Sequence, residues 1–132
     1  MVGSPTISRD HRRGGLWAAF VLLLALQVCL LYVVKGPDTP APPYADKLLH
    51  VTMFALPAVV ALLLSRVWPW AVLVLHALLS EPLQAWVATG RQLDAWDTVA
   101  DLTGIALGAL LAQPWSRRDS TRAERTRDRS RP

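Results

Sequence analysis

The sequence predicts an all-α protein, a four-helix transmembrane bundle with disordered basic cytoplasmic tails. Three observations predict it. Four apolar stretches are each long enough to cross hydrocarbon at about 1.5 Å of rise per residue. All six tryptophans (Trp17, Trp68, Trp70, Trp86, Trp96 and Trp115) fall at or near an end of one of these stretches, as do Tyr32 and Tyr44. Amphipathic rings prefer the headgroup zone. The basic residues are segregated as well. Arg9, Arg12 and Arg13 precede the first stretch, Arg66 sits between the second and third, and Arg117, Arg118, Arg122, Arg125, Arg127, Arg129 and Arg131 follow the fourth. Only Lys35, Lys47 and Arg91 lie on the other side. The positive-inside rule then places both termini in the cytoplasm, which an even number of spans requires.

Composition agrees. A chain of 132 residues that is 52% hydrophobic and 18% charged is too apolar for a soluble domain of this size. A pI near 10 would ordinarily raise a nucleic-acid partner. Here the basic residues flank apolar spans, where lipid phosphates and topology account for them, so no nucleic acid is expected. Cys29 is the one cysteine, so no intrachain disulfide forms.

In order, residues 1–15 are polar and basic and read as a disordered cytoplasmic lead. Residues 16–34 form an uncharged spanning run. A cleaved signal peptide is the competing reading, since Arg12-Arg13 precede the run. The run is longer than a usual signal core, and no small-residue cleavage site precedes Lys35. At Leu26-Gln27-Val28-Cys29, valine replaces the small residue that a lipoprotein site needs. Residues 35–44 carry Pro37, Pro40, Pro42 and Pro43 and are expected as an extended external loop. Asp46-Lys47-Leu48-Leu49-His50 opens the second span, about 48–64, which Pro57 should kink. Ser65-Arg66 is a short turn, and the third span runs 68–88. Residues 89–93 turn the chain into a fourth span at 95–112. Residues 113–132, rich in arginine, aspartate and serine, are expected to be disordered. The membrane domain is thus 16–112.

Acids in a span call for a reason, because a charge at a helix centre costs about 2.5–3.5 kcal/mol or more. In the predicted topology Asp46, Lys47 and His50 stand at the outer mouth of span two. Glu81 and Gln84 lie near the outer end of span three. Asp94 and Asp97 stand at the mouth of span four, with Asp101 one to two turns deeper. Asp94, Asp97, Asp101, Gly104 and Gly108 share one helical face. Gly104-x-x-x-Gly108 would admit a neighbouring helix at close range. The expectation is a packed bundle with a small acidic pocket open to the outside. Blander roles are open for each residue: Asp46 and Asp94 as helix caps, Asp97 at a positive helix start, Glu81 and Asp101 as protonated interhelical partners. His76, off the Glu81 face, reads as a packing or hydrogen-bonding histidine. Pro82 frees a backbone carbonyl near Leu78.

These residues carry a resemblance. Asp46-Lys47-x-x-His50, Glu81-x-x-Gln84 and Gly90-Arg91-x-x-Asp94-x-x-Asp97, leading to Gly104 and Gly108, resemble the VanZ-like family of small bacterial membrane proteins in order and spacing over residues 46–112. The sequence departs at Asp101, where the family commonly has asparagine. The resemblance implies a bacterial cytoplasmic membrane protein of the envelope, with a family link to resistance to the glycopeptide teicoplanin.

Three functions are weighed. The first is an envelope protein binding a lipid headgroup, a peptidoglycan precursor or another small polar ligand through Asp46, Lys47, His50, Glu81, Gln84, Arg91, Asp94, Asp97 and Asp101. There Arg91 would meet phosphate or carboxylate and the acids a cationic or hydroxylated part. The second is an intramembrane enzyme, with His50, Glu81 and Asp101 as catalytic candidates. In that reading His50, Glu81, Asp97 and Asp101 would hold a divalent cation, or Glu81 would act as general acid or base. The third is a proton- or ion-coupled transporter, which four short spans would support best as a homo-oligomer. Topology is checked by fusing a reporter that fluoresces only in the cytoplasm to the C-terminus. It is expected to be bright, and a dark fusion would reverse the assigned orientation.

Overall fold

The computed structural model describes residues 6–34, 42, 44–87 and 94–129. Four helices make the fold: α1 (Thr6–Tyr32), α2 (Ala45–Leu64), α3 (Val67–Val87) and α4 (Ala95–Arg129). No strand occurs among the described residues. Each helix contains a segment long and apolar enough to cross a membrane: Asp10–Tyr32, Ala45–Leu64, Val67–Val87 and Ala95–Ser116. The chain is built as a multi-pass membrane protein. Most of the 35–44 loop, the 89–93 turn and Arg91 lie outside the described residues.

Two helices run further than the sequence predicts. α1 begins at Thr6, inside the lead expected to be disordered, and α4 continues through Pro114 to Arg129, inside the expected disordered tail. Both extensions follow from helix cooperativity: a formed span supplies the costly nucleus, and each further residue adds one hydrogen bond. Arginine, which recurs between residues 117 and 129, and the single Ala123 and Glu124 are good helix formers and do not stop that propagation. The α2–α3 turn is as short as expected. Ser65 closes it with φ 51°, its N–H donating to the Leu62 carbonyl at 3.1 Å.

α2 and α4 run parallel and form the tightest pair in the bundle. Gly104 and Gly108 are buried, and the backbone of α2 lies directly against them. A methyl group at Gly104 would collide with the Val51 carbonyl oxygen and stand 3.1 Å from Phe54 Cβ. One at Gly108 would strike the Ala55 carbonyl oxygen and stand 2.8 Å from Ala58 Cβ. Ala58 and Ala61 on α2 and Ala112 on α4 are fully buried, so small residues line both sides of this seam. In lipid, where hydrophobic collapse offers helices no drive to associate, such close backbone contact supplies the dispersion energy.

α1 and α3 flank this pair. At the bundle end away from the α4 start, Trp17 stacks on Trp68 with centroids 4.7 Å apart and planes 7° from parallel, and Phe20 meets both rings edge-on. Phe20, Phe54, Leu73, Ala77 and Ile105 join the buried core. Val21, Leu22, Leu48, Leu56, Leu75, Leu107 and Leu110 point outward, as lipid-facing positions should. Exposed hydroxyls on these faces bond back along their own helix: Thr52 to the Leu48 carbonyl at 2.8 Å, and Thr103 to Val99 at 2.7 Å.

Gly104→Ala should therefore destabilise the bundle by about 1–3 kcal/mol, the usual cost of overpacking. Gly14→Ala, whose added methyl meets nothing within 4 Å, should be neutral. Thermal melting of both variants in detergent checks the pair.

Candidate functional site

The α2–α4 seam fixes what stands above it. Because the helices are parallel, Lys47 and His50 on the first two turns of α2 come level with Asp97 and Asp101 on α4. α3 runs antiparallel and brings Ser80 and Glu81 to the same level.

The deepest part is a buried chain of polar groups. Asp101 is fully buried, and both of its carboxylate oxygens are engaged. His50 Nδ1 lies 2.7 Å from Oδ1, and Ser80 Oγ donates to Oδ2 at 2.8 Å. Ser80 also stands 2.9 Å from the Ala77 carbonyl, but a hydroxyl has one proton and a carboxylate is the stronger acceptor. His50 is 1% exposed. With Nδ1 facing a carboxylate, a proton belongs on Nδ1; whenever the ring is neutral, the lone pair is therefore on Nε2. That Nε2 faces Asp97 Oδ2 at 3.9 Å, beyond hydrogen-bond reach.

The upper part is an ion-pair cluster. Lys47 Nζ bonds Asp97 Oδ1, and Asp94 Oδ2 at 2.6 Å, with Asp46 Oδ2 at 3.6 Å. Asp94 also caps α4: its Oδ1 accepts the Trp96 N–H at 2.9 Å. Glu81 Oε2 accepts the Asp94 N–H at 2.7 Å, tying the end of α3 to the start of α4. The hydrogen bond from Lys47, then that from the Trp96 backbone, holds the Asp94 carboxyl below its ordinary value of 3.8. Lys47 thus joins Asp46, Asp94 and Asp97.

Of the residues singled out from the sequence, Asp46, Lys47, His50, Glu81, Asp94, Asp97 and Asp101 come together. Gln84 is buried one turn along α3 from Glu81. Gly104 and Gly108 lie below, on the buried face of α4 shared with Asp97 and Asp101. Asp101 bonds His50 and Ser80, and Glu81 caps α4, so neither sits with His50 in the group able to hold a metal. That group is Asp46, His50 and Asp97. Sequence reasoning passed over Ser80, and its signal was slight: one hydroxyl in an apolar span beside Glu81. His76 bonds Tyr32 Oη at 3.1 Å and packs against Phe54, joining α1 to α3. Gln27 on α1 is 1% exposed, and its amide has no hydrogen-bond partner among the described residues.

Comparisons with protein-family models, with curated proteins and with solved structures gave no match. The site is therefore read from its own chemistry.

Asp94 gives a pH test with a fixed sign. Its carboxyl is depressed on folding, so the stability it adds is present above the unfolded value and lost as pH falls through the folded one. Asp94→Asn should melt below wild type at pH 7, and the gap should begin to narrow below about pH 4 and close as pH falls through the depressed value of the folded carboxyl. Melting of both proteins across that range checks it.

Proposed function

We propose that the chain is a VanZ-like envelope protein of the bacterial cytoplasmic membrane. Its polar cluster, in the outer half of the bilayer, binds the polar part of an envelope lipid or a small polar ligand. The observation that carries this reading is the buried chain Ser80–Asp101–His50, which continues toward Asp97 near the start of α4. Burying a carboxylate with two designated donors in an apolar span is costly. Packing alone would be served as well by apolar residues. A cluster built on Asp46, Glu81, Asp94, Asp97 and Asp101 favours a ligand with an ammonium or hydroxyl-rich part. With the arginine-rich segments cytoplasmic, the cluster faces the outer leaflet, where lipid-linked wall precursors and glycopeptides meet the membrane.

A second reading rests on one specific contact. In the His50–Asp101 pair a carboxylate orients an imidazole whose other nitrogen stays available, the arrangement of a general base. Ser80 bonds Asp101 and not His50, so it is not arranged as a nucleophile activated by histidine. On this reading the enzyme would act on an envelope lipid through His50, with water or a substrate hydroxyl as nucleophile. The transporter reading has less support: the acids are gathered at one end of the bundle, and the seam beneath them is closed by Gly104, Gly108 and alanines.

The test is Glu81→Gln and Asp101→Asn. Both should insert and fold, while lipid retained through purification, read by native mass spectrometry, falls at least tenfold. Any teicoplanin tolerance that the wild type confers should disappear with it. Full retention in both variants would overturn the binding role.

A further inference from the structure

We propose that Asp46, His50 and Asp97 form a binding site for a divalent transition-metal cation at the mouth of the α2–α4 pair. One ligand atom from each residue comes within 4.8 Å of the others. A tetrahedral zinc site, with bonds of about 2.0–2.2 Å, spaces its ligand atoms roughly 3.3 Å apart. A modest inward swing of the half-exposed Asp46 side chain therefore closes the set.

Proximity of acids alone would carry little. The independent observation is His50, which is 1% exposed and makes no hydrogen bond through Nε2 among the described residues. Its ring cannot turn away, because Asp101 Oδ1 holds Nδ1 at 2.7 Å. Metal-binding imidazoles are held in this way, their second nitrogen donating to a carboxylate that fixes the tautomer and raises the basicity of the ligating nitrogen. Ser80 in turn fixes Asp101 from its other oxygen. Nε2 faces Asp97 across a 3.9 Å gap, too wide for a hydrogen bond, and in the neutral ring it offers its lone pair to a metal there. One nitrogen and two carboxylate oxygens suit zinc and its neighbours better than magnesium, which prefers all-oxygen ligands and water.

Electrostatics points the same way. Lys47 Nζ spans Asp94, Asp97 and Asp46, so a cation already sits where these carboxylates converge. Lys47 is the resident occupant that a metal must displace. Its 2.6 Å bond to Asp94 gives it a place to retreat to as the ion takes its place beside Asp97. The metal site stands apart from the headgroup reading, since it needs only these three side chains.

The full chain, purified in detergent without a histidine tag and stripped with chelator, is titrated with Zn²⁺ by calorimetry. Wild type should take up one equivalent saturably. Asp101→Asn should weaken binding about ten- to hundredfold, the usual effect of losing the partner that orients a ligand. His50→Gln should abolish it, and Lys47→Met should tighten it about tenfold. His11→Ala should leave it unchanged. Asp46→Asn, at an exposed position, must weaken binding while elution volume stays that of wild type, which guards against misfolding of the buried variants. No saturable uptake by wild type, or uptake unchanged in Asp46→Asn, would overturn the site.

Discussion

The structure depends on the close parallel approach of α2 and α4. Removing two side chains, at Gly104 and Gly108, lets the Val51 and Ala55 carbonyls of one helix rest on the backbone of the other. Lys47 and His50 stand one to two turns before that contact on α2, and Asp97 and Asp101 stand at the matching height on α4. A helix separation even slightly larger would part His50 Nδ1 from Asp101, because a buried hydrogen bond tolerates only a few tenths of an ångström. The glycine seam and the polar cluster are one device: the first sets the distance at which the second can form.

The polar cluster answers the problem that a membrane poses for acids. Hydrocarbon offers no water to solvate a carboxylate, so each buried oxygen needs a donor from the protein. Asp101 has His50 and Ser80, Asp97 has Lys47, and Glu81 has the backbone of Asp94. The donors come from α2, α3 and the start of α4, so the same contacts that pay for burial also lock three helices together. α1 stands outside this arrangement. It joins through rings and through Tyr32 on His76, and most of its surface is left to lipid.

The upper cluster draws on both helices of the seam. Here Lys47 serves several carboxylates at once, and His50 keeps a nitrogen turned toward Asp97.

Much of this was legible in the sequence, since a spanning helix declares itself through local composition. Twenty apolar residues bounded by tryptophan and charge fold as a helix across a bilayer whatever their neighbours do. The periodicity that sets Asp97, Asp101, Gly104 and Gly108 on one face is likewise a property of a single helix. The extent of α1 and α4 was less legible, because cooperative propagation carries helix into polar sequence that would not form it alone. That these polar residues gather at one end of the bundle followed from topology, but which side chains pair did not. That Lys47 reaches Asp94 and Asp97, that His50 meets Asp101, and that Ser80 completes the pair depends on which helices adjoin and at what height. Those contacts join residues 21 to 51 positions apart, and their spacing is set by the depth of a seam that exists only once α2 and α4 have packed. The sequence determined that acids would line one face of a membrane helix; the tertiary structure decided what answers them.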